Sequence, residues 1–485
     1  MLPVQATLPF SDYSSLYDLL VPKTNILRQI NDLVDFSFIR KELLAKYCSG
    51  NGRMAKCPIR MFKYLLLKII YDLSDVDVVE HSLYDLSFKY FLGMAPEETS
   101  LINPSSLCKF RKLRLQDNGL MNLLIEKTVS IAVEKGIIKS RTIIVDSTHT
   151  GSRSNPYSSL DVLKLRSKQL RKVIYDFDDE IKESLPEKNE DNDLSHELKY
   201  TRALVDAVSS NAVLSNVPKI KERLNMLKEV ADDIEDHYTT SKDTDARTGH
   251  KSEDDSFFGY KTHIAMSDER IITAAIVTSG EKGDGPQLEE LVKQSRENGM
   301  EVETVVGDTA YSGKDNIILS QDEEKGFELV AQLHPVISHG FRKEEDKFEF
   351  NKDAGMFVCP AGHMAVRKAC QGKKSQGANR TMVYFFDVDK CRNCSRRKGC
   401  YKKGANSKSY SVQIKSEEHK RQESFQNTEG FKEKARVRYK IEAKNAELKN
   451  VLGYDRATSY GMDCMRMQGA LTIFVANLKR ILKLS

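Results

Sequence analysis

Apolar positions recur at helical spacing through roughly the first 125 residues. In "PIRMFKYLLLKIIYDLSDVDVVEHSLYDLSFKYFLGM" (58–94) the pattern is interrupted near Ser74 and Asp75, which predicts separate helices on either side. A turn is expected at "APEETSLINP". "SSLCKFRKLRL" (105–115) then opens with a serine cap. Its Leu107, Phe110 and Leu113 make one apolar stripe, and Lys109, Arg111, Lys112 and Arg114 are basic. A small helical unit ending in a basic helix is compatible with DNA binding by a helix-turn-helix.

Beyond residue 140 the pattern shortens. "RTIIVDSTHT" (141–150) is an apolar run that ends on Asp146. Residues 155–240 are charged and helix-forming, and "DFDDEIKESLPEKNEDNDLSHELKY" reads as helices joined by an acidic loop, so this stretch looks inserted. Strands resume with "FGYKTHIAMS" and "RIITAAIVTSG", an expected antiparallel hairpin across "DER". "DGPQLEELVKQSREN" follows as an amphipathic helix with acidic early turns. Val302–Val306 is a strand ended by Gly307 and Asp308, and a short helix and the strand "FELVAQLHP" complete the series. The order predicts one mixed sheet with helices packed on it, an α/β fold. Residues 340–415 interrupt the pattern with polar strands, glycines and cysteines, and from about Phe431 the chain is helical again. The expected division is a helical N-terminal domain (1–125), an α/β core (126–339) carrying the helical insertion, a Cys-containing basic insertion (340–420), and C-terminal helices (421–485) that complete the core.

Composition adds modest constraints. A chain of 485 residues, 40% hydrophobic and 30% charged, has room for two or three domains and a sizeable core. No apolar run reaches the roughly 18 residues that cross a bilayer, and the first residues lack the pattern of a signal peptide. A cytoplasmic protein is the expectation. The net charge of +5 hints at a polyanionic partner. Its distribution says more, because Arg392, Arg396, Arg397, Lys398, Lys402, Lys403, Lys408, Lys415 and Lys420 crowd together against only Glu417 and Glu418.

The chemistry lies in the carboxylates. A bare carboxylate at the tip of a buried strand costs solvation, and Asp146 and Asp308 each follow a β-branched run. If the two strands are neighbours, both carboxylates enter one crevice, where mutual repulsion calls for a divalent cation. Mg²⁺ suits such a place because it prefers oxygen ligands and keeps several waters. In "EKARVRYKIEAKNAELKNVLGY", Arg438, Glu442 and Lys449 fall on one helix face, whereas Glu447 points well off it. Alone, each feature has a plain explanation: strand-end aspartates often cap turns, and charges four apart often pair on exposed helices. Together the three carboxylates suggest phosphoryl transfer by two metal ions, with Arg438 and Lys449 holding DNA phosphates.

At this point the sequence resembles the DDE transposases of bacterial insertion sequences. "IIVDSTHT" is similar to that family's first-Asp strand and "VVGDTAYSG" to its second. "DTDARTGHKSEDDSFFGYKTHIAMSDERIITAAIVTSG" resembles the segment around its second and third strands. Arg438, Glu442 and Lys449 fit its Tyr-x2-Arg-x3-Glu-x6-Lys helix, although the Tyr position falls on Ala435 and Tyr439 stands after Arg438. "PIRMFKYLLLKIIYDLSD" through "SSLCKFRKL" looks like its helical N-terminal domain. The resemblance is weakest over 155–240 and 340–415. It implies an RNase H-like mixed sheet flanked by helices, with Asp146, Asp308 and Glu442 as ligands for Mg²⁺ (or Mn²⁺). It also implies binding to double-stranded DNA at inverted-repeat ends and at a target, cleavage, strand transfer, and a homo-oligomer such as a dimer that pairs two ends. A metal-dependent nuclease on the same fold, or a domesticated DNA-binding protein without catalysis, are the competing expectations.

Of nine cysteines, Cys48, Cys57, Cys108 and Cys464 lie far apart and read as single buried thiols. "CPAGH" (359–363), Cys370 and "CRNCSRRKGC" (391–400) are clustered. Cys359, Cys391, Cys394 and Cys400 would make a tetrahedral structural Zn²⁺ site, with His363 or Cys370 as substitutes. The adjoining Arg396 and Arg397 make this insertion a candidate DNA grip. His149 and His263 lie close to the first Asp strand and could position a water or phosphate, and Tyr311 and Ser312 could touch the substrate backbone.

Overall fold

The computed structural model describes residues 11–47, 55–116, 119–154, 159–189, 191, 193–235, 243–250, 256–322, 326–333, 348–351, 354–371, 381–402, 404–413 and 417–485. Cys48, Lys403 and Lys415 lie outside them.

The N-terminal unit is helical, as its periodicity predicts: α1 (Ile26–Leu33), α2 (Pro58–Tyr71), α3 (Asp75–Tyr84), α4 (Leu86–Leu92) and α5 (Ser105–Phe110). Pro58 opens α2, where a missing N–H costs nothing, and Ser74 with Asp77 forms a capping box at α3. The expected apolar stripe of the basic helix is corrected in its last member. After Phe110 the backbone passes into a π turn (Arg111–Leu115), which shifts the phase, so that Leu113 is exposed and Leu115 is buried instead.

α6 (Leu120–Glu134) leads into β1 (Thr142–Gly151), which runs five residues beyond Asp146 rather than ending there. The residues after Asp146, "STHTG", lack an apolar run, but they pair with the next long strand and so stay extended. Three helices follow as the inserted unit, α7 (Ser159–Phe177), α8 (Leu194–Ser210) and α9 (Pro218–Glu235), around their own cluster of Leu170, Ile174, Leu204, Val208 and Leu227.

The mixed sheet comprises β1, β2 (Arg247–His250), β3 (Ser256–Ser267), β4 (Ile272–Ser279), β5 (Thr304–Val306) and β6 (Glu328–Val330). β3 pairs antiparallel with β1 on one side, and on the other with β2 along its first residues and β4 along the rest. On the far side of β1, β5 and β6 continue the sheet in parallel. The β3–β4 hairpin turns across Asp268–Arg270 as expected, with Arg270 in the left-handed region at φ 69°. Helices α10 (Leu288–Glu297) and α11 (Lys314–Ser320) sit in the connections to β5 and β6.

Both faces of the sheet are covered. Ile144 packs into the cluster shared with the N-terminal helices, whereas Ile143 and Val145 pack into a second cluster with Leu288, Leu291 and Ile317. Strand alternation therefore feeds two cores, and β1 reads as a continuous apolar run for that reason.

Beyond β6 come two small sheets, β7 (Glu349–Asn351) with β8 (Met356–Val358), and β9 (Arg367–Gln371), β10 (Thr381–Phe386) and β11 (Lys408–Gln413). The chain ends in α12 (Glu417–Gln426), α13 (Glu429–Ala435), α14 (Tyr439–Asn450) and α15 (Met462–Leu484). α15 is buried along most of its length, with Phe474 edge-on to Phe62 of α2. Buried Asn477 covers the edge of β4: its amide accepts from the Ile272 N–H and donates to the Ile272 carbonyl, each at 2.8 Å. No helix among the described residues is long and apolar enough to cross a membrane.

Candidate active site

Pairing between β1 and β5 runs only from Thr142 with Thr304 to Ile144 with Val306. Past that point the two strands splay, and the crevice that opens receives Asp146 from β1 and Asp308 from the end of β5. The strands are neighbours, as the sequence argument required. Gly307 makes the turn into the crevice possible, since a Cβ there would lie 2.8 Å from the Tyr311 ring and 3.0 Å from Val145. Asp308 then caps the short turn Thr309–Tyr311, accepting from the Ala310 N–H at 2.9 Å.

Asp146 is half-buried. One oxygen accepts from the Ser147 N–H at 2.8 Å and the other from the Asn445 amide of α14 at 3.2 Å. Burial pushes its pKa up to about 6 against the Ser147 bond, and the negative charges of Asp308 and Asp284 add to the rise while Arg438 opposes it.

α14 lies along β1 through a single stripe. Asn445 reaches Asp146, and Lys449 Nζ lies 3.2 Å from Nε2 of His149, whose ring packs on Phe257. Glu442 shares this stripe, but its side chain is 60% exposed and its carboxylate lies 3.6 Å from Arg438. Glu447 points away, as expected, to Arg270 and to the fully buried Lys444. Together with Lys440 on Asp268, these pairs hold the back of α14 against the β3–β4 turn.

Among the described residues no three Asp, Glu, His or Cys side chains converge on one ion-binding point. Of the expected metal-binding triad, Asp146 and Asp308 come together in the crevice, while the Glu442 side chain is turned to Arg438 and solvent. The surroundings nonetheless fit a hard cation. The Tyr311 hydroxyl, Thr148 Oγ1 and Asn445 Oδ1 are buried without a hydrogen-bond partner among the described residues. Oxygen donors left unsatisfied beside paired carboxylates suit Mg²⁺ with its waters.

Two neighbours of Asp146 escaped the sequence argument. Asn445 is seven residues after Arg438 and so lies on the stripe already drawn, which was the signal for it. Asp284 reads as an ordinary turn former in "DGP", yet its Oδ1 lies 3.0 Å from Nδ1 of buried His263 and 3.2 Å from Lys261 Nζ. Burial pushes the Asp284 pKa up, but the His263 bond and the Lys261 charge outweigh it and hold the carboxyl below its ordinary value. His263, bonded also to Thr278 Oγ1 at 3.0 Å, is enclosed rather than open to substrate.

The other predicted contacts divide. Lys109 and Lys112 are exposed. Arg111 is committed to Asp75, which Lys68 also contacts, and Arg114 lies over the Tyr47 ring. Arg396 and Arg397 are exposed beside a cavity of about 140 Å³ that Cys359, His363, Cys391, Cys394 and Cys400 also line. The thiols share that cavity but do not form the expected tetrahedral zinc site. Cys359 and Cys391 pack against Phe357, Tyr384, Phe386 and Tyr410, and burial, with the neighbouring cysteines, raises the Cys391 pKa.

Two family models match the chain: Transposase domain (DUF772) over residues 15–113, and Transposase DDE domain over residues 358–482. No curated protein and no solved structure matches it. The first match covers the N-terminal helices and the second contains the Arg438–Glu442–Lys449 helix, which makes the chain a DDE transposase of the insertion-sequence type, an enzyme that cuts and moves DNA.

Proposed function

We propose that the chain binds the inverted-repeat ends of an insertion sequence, cuts them, and joins the 3′ ends to target DNA, with Asp146, Asp308 and Glu442 as its metal-binding carboxylates. The single observation that carries this reading is the meeting of Asp146 and Asp308 where β1 and β5 splay, with the Glu442 helix laid along β1. The order of antiparallel β4, β3 and β1 followed by parallel β5 and β6 supports an RNase H-like core.

A divalent cation at such carboxylates lowers the pKa of a bound water or 3′-hydroxyl and stabilises the leaving 3′-oxygen. The chain's own part is positioning. Asp146, its pKa raised to about 6, carries its charge at neutral pH at a cost that a bound cation would offset. Arg438 and Lys449, at either end of the stripe, are placed to hold phosphates on both sides of the scissile bond. Joining the aspartates would take Glu442 from its 3.6 Å contact with Arg438 and leave that cation available to DNA. Lys109 and Lys112, with Arg396 and Arg397, are the outlying DNA contacts of this reading, and a dimer pairs the two ends.

The test is cleavage and joining on duplexes carrying the element's ends, with Mg²⁺. Asp308→Asn is expected to lower cleavage at least roughly a thousandfold while end binding persists. Full cleavage by that variant overturns the assignment. Cutting of wild-type substrate without joining of precut 3′ ends would make the enzyme a nuclease.

A further inference from the structure

Asp284 sits one residue before the short turn Gly285–Gln287 that leads into α10. Two fasteners hold this loop in the crevice. Asn316 of α11 donates at 3.0 Å to the carbonyls of both Gly285 and Tyr311, tying the Asp284 loop to the Asp308 turn. Gly285 packs so closely that a Cβ would lie 2.6 Å from the Ala310 carbonyl oxygen. On the other side, the Asp284 carboxylate lies 3.0 Å from His263, which is the cross-strand partner of Ser147, the residue after Asp146. Asp284 is thus wedged between the strand of Asp146 and the turn of Asp308.

A second observation points to a guest in that space. Tyr311 is fully buried, and its hydroxyl has no hydrogen-bond partner among the described residues. Burial first, then the charges of Asp284, Asp146 and Asp308 in that order, push its pKa far above the usual value. A buried hydroxyl that feels the charge of three carboxylates and is bonded to none of them has a hydrogen-bonding need that the described protein groups do not meet.

We propose that Asp284 is a fourth carboxylate of this crevice, a positioning residue that accepts hydrogen bonds from the water shell of the divalent cation held by Asp146 and Asp308, with Tyr311 bonded to the same shell. This rests on the metal-binding reading of those two aspartates. The chemistry follows from the ion. Mg²⁺ and Mn²⁺ take one or two carboxylates directly and keep several waters, so a nearby carboxylate that does not touch the ion still orients it and adds attraction. Lys261 and His263 fix the carboxylate in place, and Lys261 competes with the cation for its charge.

The test is Mn²⁺ binding to the metal-free full chain, followed by the loss of the free-ion electron paramagnetic resonance signal, beside a thermal melt. Asp284→Asn is expected to weaken Mn²⁺ binding at least about tenfold while lowering the melting temperature through the lost His263 and Lys261 pairing, and Lys261→Met, which breaks part of the same pairing, separates the two effects. Lys261→Met removes the competing cation and is expected to tighten binding severalfold. If Asp284→Asn does not fold, Lys261→Met decides alone, and unchanged or weaker binding overturns the proposal. Asp146→Asn separates the two levels. Should it abolish Mn²⁺ binding while Asp284→Asn retains it, only the role of Asp284 falls. Should Asp146→Asn itself bind normally, the metal-binding reading falls with it.

Discussion

Two regions of this molecule carry clustered metal-ligand residues, and the fold treats them differently. In the crevice between β1 and β5, carboxylates that repel one another are held together, and buried oxygens nearby lack partners among the described residues. In the cysteine module, Cys359 and Cys391 are packed against Phe357, Tyr384 and Phe386, where a neutral thiol fills apolar space without needing a partner. The first arrangement is costly without a guest, and the second is satisfied by its own packing. Clustering of ligand-type residues is therefore weaker evidence for a metal than the unmet electrostatic need of the cluster.

The comparison breaks first if Glu442 is dispensable. Glu442→Gln is expected to lower DNA cleavage at least roughly a thousandfold, despite its exposed side chain, with the melting temperature preserved. Cleavage near the wild-type rate would show that the helix contributes only Asn445 and Lys449.

A smaller effect reports the strain of the crevice directly. The pKa of Asp146 is raised from 3.8 to about 6, so the folded state disfavours its ionised form. The penalty is absent below about pH 4, grows as pH rises toward about 6, and is full above it. Asp146→Asn is therefore expected to stabilise the metal-free protein at neutral pH by on the order of 2 kcal/mol, a gain that vanishes below about pH 4. Thermal melts across that range check it, and equal melting temperatures at neutral pH would remove the claim of strain.

The cysteine module is expected to answer only to packing. Cys391→Ser places a hydroxyl against the aromatic cluster and should cost about 1 kcal/mol in chemical denaturation, with cleavage unchanged. Cys400→Ser, at an exposed position, should stay within about 0.5 kcal/mol. A large loss from Cys400→Ser would show that the thiols act together, and the contrast between the regions would disappear.

Much of the fold was legible because its signals are local. The hairpin across Asp268–Arg270, the amphipathic helix after Asp284 and the N-terminal helices follow from periodicity and turn residues within a few positions. The stripe of Arg438, Glu442 and Lys449 is likewise a matter of helix geometry. The misread features depended on distant partners. β1 extends past Asp146 because β3 pairs with it, and Arg111 is taken from the basic surface by Asp75, thirty-six residues earlier. Leu113 leaves the apolar stripe through a π turn that no periodicity announces.

By itself, the sequence determined which residues could carry the chemistry and on which kind of element each would stand. Periodicity within a dozen residues places a carboxylate after a strand or on a helix face. The tertiary structure alone decided their company. It set β1 beside β5 so that Asp146 meets Asp308, brought Asp284 in from a turn, and left Glu442 facing Arg438. Those relations depend on sheet order and burial, and charges interact according to distance in space and the water between them, neither of which separation along the chain records.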